Sequence, residues 1–156
     1  MNDKRLLFRL AGAAALTPIA AEASRVPLQA PRNSMARYFP NVELETHDGR
    51  KVRFYDDLIR GKVVSFNMMY SICTGICPIN TANLMQVQQA LGARLGRDIH
   101  MYSITLRPEF DNAAALRDYM RHYRIPQRGG WTFLTGKPND VELVRRKLGF
   151  VGDTAE

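Results

Sequence analysis

Alternating apolar and polar positions predict a β-hairpin at the start of the regular part of this chain. Residues 41–46 alternate as a half-buried strand does, and residues 51–54 alternate again after the turn pair Asp48-Gly49. Two alternating runs around an Asp-Gly pair are typical of antiparallel strands joined by a tight turn. A short helical turn over residues 55–60 is predicted to follow and to end at Gly61.

Strands and helices alternate beyond the hairpin. Residues 63–70 are almost continuously apolar, which predicts a strand covered on both faces. A helix is predicted over residues 79–95, because Pro78 suits a first helical turn and Gly96 suits a helix end. Its core face is predicted to comprise Leu84, Val87, Leu91 and Leu95.

The second half of the chain repeats this alternation. Strands are predicted over residues 99–105 and 131–134, and helices over residues 112–123 and 137–148. Asp111 is the predicted N-cap of the first of these helices. The order hairpin, strand, helix, strand, helix, strand, helix predicts an α/β fold whose sheet is rich in parallel strands and carries helices on its faces.

The N-terminus has the pattern of an export signal. Lys4, Arg5 and Arg9 precede an uncharged segment rich in alanine and leucine, residues 10–21, and a small-x-small pattern then precedes Ser24. We predict that residues 1–23 are a signal peptide. Its apolar segment is too short for a membrane span, which takes about 20 residues.

Domain boundaries follow from the same pattern. Residues 24–37 contain two prolines and show no periodicity, so they are predicted to be a linker. Residues 38–156 are predicted to form one domain. Export would place that domain in an oxidising compartment, where cysteines form disulfides unless they are kept reduced.

Charge and motifs exclude several function classes. The net charge is +7, but the lysines and arginines are scattered, whereas nucleic-acid binding proteins carry clustered basic stripes. Such basicity favours acidic partner surfaces or peripheral contact with anionic lipids. The sequence has no phosphate-binding loop of the G-x-x-x-x-G-K-[ST] type and no H-E-x-x-H motif.

The chemistry is concentrated at the only two cysteines, Cys73 and Cys77. They lie one helical turn apart at a predicted helix N-terminus, whose partial positive charge favours thiolates. Paired thiolates suit a soft metal such as Cu(I), a cycle between dithiol and disulfide, or a structural disulfide. A structural zinc site needs four ligands and is the weakest of the metal interpretations. A five-residue disulfide loop would stabilise little.

Other residues of metal-binding types are not assigned to the site. His47, His100 and His122 are predicted to be solvated surface residues. Met68 and Met69 are predicted to pack within a strand rather than to act as thioether ligands.

The cysteine segment and its surroundings resemble the Sco/SenC family, thioredoxin-fold copper chaperones for cytochrome oxidase assembly. The resemblance extends over roughly residues 38–151. The segments that carry it are Cys73-Thr74-Gly75-Ile76-Cys77-Pro78 with Asn83-Leu84 and Gln88, Tyr38-Phe39-Pro40-Asn41, Ser103-Ile104-Thr105-Leu106-Arg107-Pro108, and Trp131-Thr132-Phe133-Leu134-Thr135-Gly136.

The resemblance implies a thioredoxin-like fold with an N-terminal hairpin, and a metallochaperone rather than an enzyme. Cys73 and Cys77 match the family's copper-binding thiolates. Two thiolates without a nitrogen ligand favour Cu(I), which accepts low coordination numbers, over Cu(II). The expected partner is a cytochrome c oxidase subunit or another copper chaperone. The expected location is periplasmic, at the membrane surface or free of it. The alternative is a thiol–disulfide oxidoreductase that acts on partner cysteines without holding metal.

The chain departs from the family pattern at two places. Arg107 stands where the family has an acidic residue before the proline. The family's third copper ligand, a histidine, falls beyond Glu156, as do the last strands and C-terminal helix of the fold. A third interpretation therefore remains, in which the chain is a truncated fragment without function.

Overall fold

Five strands form one mixed sheet in the computed structural model of the chain, which describes residues 32–150. The sheet order is β2-β1-β5-β4-β3. The strands are β1 (Glu43–Thr46), β2 (Lys51–Arg53), β3 (Val63–Met69), β4 (Ile99–Thr105) and β5 (Trp131–Gly136). The α-helices are α1 (Arg32–Tyr38), α2 (Ile76–Leu91), α3 (Ala113–His122) and α4 (Pro138–Lys147).

The predicted hairpin is confirmed. β1 pairs antiparallel with β2, with Leu44 opposite Val52, and the turn between them contains Gly49 at φ +84°. That left-handed backbone conformation suits glycine because it has no Cβ. The predicted helical turn after β2 is also present, as a π-helical segment over Phe54–Ile59.

The three other strands form the parallel part of the sheet. β3 pairs with β4 along its whole length, and β4 pairs with β5. β1 lies antiparallel to β5 on the other side. The parallel-rich α/β fold predicted from the alternation of strands and helices is therefore confirmed.

One prediction about β3 is wrong. The strand is not covered on both faces, since Val63 is 63% exposed and Ser65 is also exposed. Among the described residues β3 is an edge strand, and a strand at an edge is covered by neighbours from one side only. Phe66 and Met68 pack against the hydrophobic core on one face of the sheet. On the other face of β3, only Met69 is buried.

Helix α2 begins and ends earlier than predicted. It runs from Ile76 and stops at Gly92, which has φ +49°, and a 3₁₀ turn follows. Its buried positions are Cys77 and Thr81. Of the predicted core face, Leu84, Leu91 and Leu95 pack against the core, whereas Val87 is 45% exposed.

Helix α3 also differs at its N-terminus. Asn112, not Asp111, is the N-cap, and its side chain accepts a hydrogen bond from the Ala115 N–H at 3.0 Å. Asp111 is instead 1% exposed and turns back toward the sheet. The sequence pattern placed the helix start one residue too early, since both residue types are good N-caps.

Two hydrophobic cores lie on opposite faces of the sheet. One packs α4 and the π-helical segment against the sheet and is centred on fully buried residues such as Phe54, Ile104 and Leu134. The other packs α2 and α3 against the opposite face and includes both cysteines together with Met69, Trp131 and Phe133. Both thiols therefore pack in this core, Cys73 from the loop after β3 and Cys77 from helix α2.

Several predictions fall outside or at the border of the described residues. The signal peptide, the first part of the linker, and the polar tail after residue 150 lie outside them. The last part of the predicted linker, residues 32–37, is helical within α1. None of the helices in residues 32–150 combines the length and apolar character that a membrane-spanning helix requires.

Two glycines meet where β4 and β5 begin, and they generate a stability prediction. A Cβ on Gly130 (φ +88°) would lie 2.2 Å from the backbone nitrogen of Gly96. Gly129 has a comparable φ of +127°, but a Cβ there meets nothing within 4 Å. We expect Gly130→Ala to lower the free energy of unfolding by more than ~2 kcal/mol, through both backbone strain and overpacking.

Gly129→Ala is the matched control, because it adds backbone strain alone, about 1–2 kcal/mol. Urea unfolding followed by circular dichroism gives both free energies. Equal losses in the two variants would show that the close approach of Gly130 to Gly96 does not limit this position.

Candidate metal and redox site at the start of helix α2

The two cysteines lie at the carboxyl edge of the parallel strands. β3 ends at Met69, a short loop carries Cys73, and α2 begins at Ile76 with Cys77 in its first turn. The loop turns back on itself, since the Cys73 N–H donates to the Tyr70 carbonyl at 3.3 Å. Both cysteines are free thiols, 8% and 5% exposed.

The Cys73 sulfur accepts hydrogen bonds that its position at the helix start makes available. The Cys77 thiol and the Tyr70 hydroxyl donate to it, as do the backbone N–H groups of Cys77 and Gly75. Gly75, the N-cap residue, supplies no side-chain cap. The sulfur of Cys73 thus takes the acceptor role that a capping side chain has at other helices.

These donors favour the thiolate of Cys73. They lower its pKa from 9.0 to about 6, with the Cys77 thiol as the largest cause and the Tyr70 hydroxyl next. The pKa of Cys77 is raised, first by burial and then by the neighbouring Cys73 sulfur. At neutral pH the pair therefore consists of one thiolate and one thiol that donates to it.

Tyr70 is a site residue that sequence reasoning missed. Its pKa is raised, first by its hydrogen bond to Cys73 and then by the negative charge of that sulfur. The residue ends the apolar run before the cysteines, so in the sequence it looks like one more strand residue. Only the turn after β3 brings its hydroxyl back to Cys73.

Asp111 is the second residue whose place at the site was missed. Its carboxylate accepts from the Ser71 N–H at 3.0 Å, from the Ser71 hydroxyl, and from the Thr105 hydroxyl at 2.5 Å. It thereby ties the cysteine loop to the end of β4. A signal is present in the sequence, since this aspartate follows a strand that ends at the same sheet edge as the cysteines, but helix capping accounts for the same residue equally well.

A hydrogen bond between α2 and α3 holds the helix that carries Cys77 in place. The hydroxyls of Thr81 on α2 and Tyr119 on α3 lie 2.6 Å apart. Burial raises the pKa of Tyr119 to about 12, so this hydroxyl stays protonated. The bond fixes α2 one turn beyond Cys77.

The three histidines do not join the cysteines in a cluster. His47, predicted to be solvated, is 2% exposed: its Nδ1 accepts from the Phe133 N–H at 3.3 Å and its Nε2 lies 3.0 Å from the Gln127 carbonyl. Both ring nitrogens have partners within the fold, so this histidine is a structural residue. The prediction was wrong because the hairpin turn folds onto β5.

The remaining residues of metal-binding types are two histidines and two methionines. His100 is half-buried at the start of β4, the strand end opposite to the cysteines, and His122 is exposed on the wall of an open cleft that also contains Cys73. Met69 is buried in the same core as both cysteines, and Met68 packs against the other core, as predicted. Residues 32–150 contain no group of three histidine, cysteine or acidic side chains arranged to hold a metal ion.

Comparison with known proteins identifies relatives of this chain. The family model described as SCO1/SenC matches residues 31–156. A SCO1 protein homolog of Bacillus subtilis (strain 168) is 28% identical over 92 residues, which are 59% of this chain and 46% of that protein. The chain thus spans about half the length of this curated relative.

Solved structures agree with the fold. BsSco, described as a Sco family member with a disulfide switch, is 25% identical and has a TM-score of 0.60, with 70% of this chain and 63% of that chain covered. ScoI of Bradyrhizobium japonicum with copper bound is 22% identical and has a TM-score of 0.58, with 67% and 62% covered. These likenesses confirm the predicted thioredoxin-like α/β fold.

The pKa of Cys73 gives a prediction for the metal-free, reduced protein. We expect its alkylation by iodoacetamide to follow the thiolate fraction, with a midpoint near pH 6. Tyr70→Phe removes a donor to the thiolate and should move the midpoint upward, which makes alkylation slower at pH 6. Mass spectrometry of Cys73 and Cys77 peptides measures the two rates separately.

The same thiolate makes stability depend on pH. Because the pKa of Cys73 is lower in the folded protein than in the unfolded chain, the contribution of this thiolate to stability is complete above pH 9 and is lost as pH falls through about 6.

The control for the alkylation experiment is Tyr38→Phe, which makes the same change at an exposed position of α1. An unchanged midpoint in Tyr70→Phe would contradict the assigned hydrogen bond.

Proposed function

We propose that this chain, which belongs to the SCO1/SenC family, binds copper through Cys73 and Cys77 and delivers it during assembly of the copper site of cytochrome c oxidase. The observation that carries this proposal is the pair itself. Two free thiols lie one helical turn apart at the start of α2, are 8% and 5% exposed, and pack in the same hydrophobic core, while Cys73 also borders an open cleft.

The donor set fits a soft, monovalent metal. Thiolates select Cu(I), and a pair of thiolates suits Cu(I) because this ion accepts low coordination numbers. Cu(II) would bind less securely with sulfur ligands alone. The buried surroundings favour Cu(I) further, since a monovalent ion between two thiolates leaves a smaller net charge than two unpaired thiolates would.

Solved relatives support copper as the cargo. Structures of Bradyrhizobium japonicum ScoI and of yeast Sco1 are described as having copper bound. BsSco is described as belonging to the Sco family of cytochrome c oxidase assembly proteins. By analogy we propose that this chain exchanges copper with an oxidase subunit or another copper chaperone.

The proposed location follows from the N-terminus. We propose that residues 1–23 direct export and that residues 38–156 act in the periplasm as the functional domain, at the membrane surface or free of it. A relative from Bacillus anthracis is described as a SCO1/SenC family lipoprotein, which supports action outside the cytoplasm.

Copper binding is tested by titration of the reduced protein with Cu(I) against a competing chelator of known affinity. We expect one Cu(I) per chain. Cys73→Ser and Cys77→Ser should each weaken binding by at least ~100-fold, because a hydroxyl is a hard donor that Cu(I) disfavours.

Val87→Ser is the matched control, since it introduces the same side chain at an exposed position of α2. If either cysteine variant binds Cu(I) with the affinity of the parent protein, the proposal that this pair binds copper is contradicted. Because Cys77 is protonated at neutral pH, binding should also release a proton, which weakly buffered titrations detect.

A second function is favoured by the low pKa of Cys73. The Cys73 thiolate would attack a partner disulfide, form a mixed disulfide and release one partner thiolate. That thiolate would take the proton of the Cys77 thiol, and the Cys77 sulfur would then attack Cys73 in the mixed disulfide and release the second partner thiolate. Two electrons pass to the partner, and Cys73 and Cys77 become a disulfide. The disulfide switch described for BsSco supports this alternative.

The two functions differ in what Cys77→Ser does. As a reductase, this variant should trap a mixed disulfide between Cys73 and a cysteine-pair peptide substrate, visible by mass spectrometry. If the parent protein binds one Cu(I) but does not reduce the peptide, and Cys77→Ser traps no mixed disulfide, the reductase function is excluded and only the copper function remains.

A further inference from the structure

Asp111 is a buried carboxylate that neither proposed function uses. It is 1% exposed and makes no ion pair among the described residues. Burying a carboxylate is costly unless hydrogen bonds replace its water shell. Three donors do so here: the Ser71 N–H, the Ser71 hydroxyl and the Thr105 hydroxyl.

The three donors come from the end of β4 and from the loop that follows β3. Thr105 is the last residue of β4 and lies opposite Met69, the last residue of β3. Ser71 follows β3 by two residues and precedes Cys73 by two. The carboxylate therefore holds the cysteine loop to the end of the neighbouring strand, at the point where the loop leaves the sheet.

Neighbouring hydrogen bonds make Asp111 part of a rigid frame. The Asp111 N–H donates to the Arg107 carbonyl at 2.9 Å, and the Arg107 N–H donates to the Thr105 hydroxyl oxygen at 2.9 Å. The Leu106 N–H donates to the Met69 carbonyl at 2.7 Å. The carboxylate is thus fixed by its own backbone before it orders the loop.

We propose that Asp111 is a positioning residue, which sets the placement of Cys73 relative to Cys77 by anchoring Ser71. Cys77 is held independently, by its place in α2 and by the contact of that helix with α3. Cys73 has no such element and depends on the loop. Loss of the anchor therefore changes the geometry of the pair by moving one cysteine and not the other.

The anchor acts on the thiols whether or not they carry copper. The dithiol–disulfide equilibrium depends on how the sulfurs are held, because a disulfide requires a narrow range of Cβ separations and torsions. The equilibrium constant between metal-free protein and glutathione therefore measures how the Asp111 anchor affects the placement of the two sulfurs. Failure of copper binding would leave this measurement intact.

Asp111→Ala and Asp111→Asn separate positioning from charge. Asp111→Ala removes every acceptor, and we expect it to shift the equilibrium constant with glutathione by about tenfold or more. In Asp111→Asn the amide oxygen still accepts from the Ser71 N–H and the Thr105 hydroxyl, and the amide NH₂ donates to the Ser71 hydroxyl, which rotates. We expect this variant to stay within about threefold of the parent.

Ser103→Ala is the matched control for loss of a buried polar contact. Ser103 donates to Asn67 at 2.5 Å and accepts from the Trp131 indole N–H at 2.9 Å, two positions before Thr105 on β4. We expect it to lower stability but to leave the glutathione equilibrium constant unchanged. An equal shift in Ser103→Ala and Asp111→Ala would show a general stability effect and overturn the proposal.

Thr105→Val keeps the test decisive if Asp111→Ala does not fold. The valine retains the shape of threonine but removes one of the three donors to Asp111. We expect a shift in the same direction as in Asp111→Ala, by a smaller factor of about two to five. A parental equilibrium constant in Thr105→Val, in a protein of native circular dichroism, would overturn the proposal.

Discussion

The parallel pairing of β3 with β4 is the constraint on which the site depends. Because the strands run in the same direction and end in register at Met69 and Thr105, their following loops leave from one edge of the sheet. The crossover helix α2 must begin at that edge to return along the sheet. A cysteine before that helix and one in its first turn are thus brought together by topology.

The helix start then makes the two cysteines chemically different. Cys73 lies where unpaired N–H groups point, and these groups and the Tyr70 hydroxyl stabilise its negative charge. Cys77 lies in the first turn of α2, where burial opposes charge. One sequence motif of two identical residues therefore yields a thiolate and a thiol, and the thiol contributes by donating to its neighbour.

The sequence predicted the framework better than its connections. The hairpin, the alternation of strands and helices, and the cysteines at a helix start were all predictable from periodicity and turn residues, which act within a few positions. His47 was misplaced because its burial depends on β5, which lies far away in the chain. Asp111 was misplaced because a helix N-cap and an anchor for a distant loop use the same side chain, and only tertiary structure selects between them. The burial predicted for β3 failed for a related reason, since an apolar run shows that a strand belongs to a core but not how many neighbours it has in the sheet.

The proposed copper function and its redox alternative compete for the same electrons. Cu(I) binds thiolates, and neither sulfur is a thiolate once the two cysteines have formed a disulfide. Oxidation of Cys73 and Cys77 would therefore expel the metal, and bound Cu(I) would protect the pair from oxidation. In the proposed periplasmic location, which is oxidising, the pair would have to be reduced before copper binds. The low pKa of Cys73 would serve either proposed function, since it provides the first thiolate for the metal or the nucleophile in thiol–disulfide exchange.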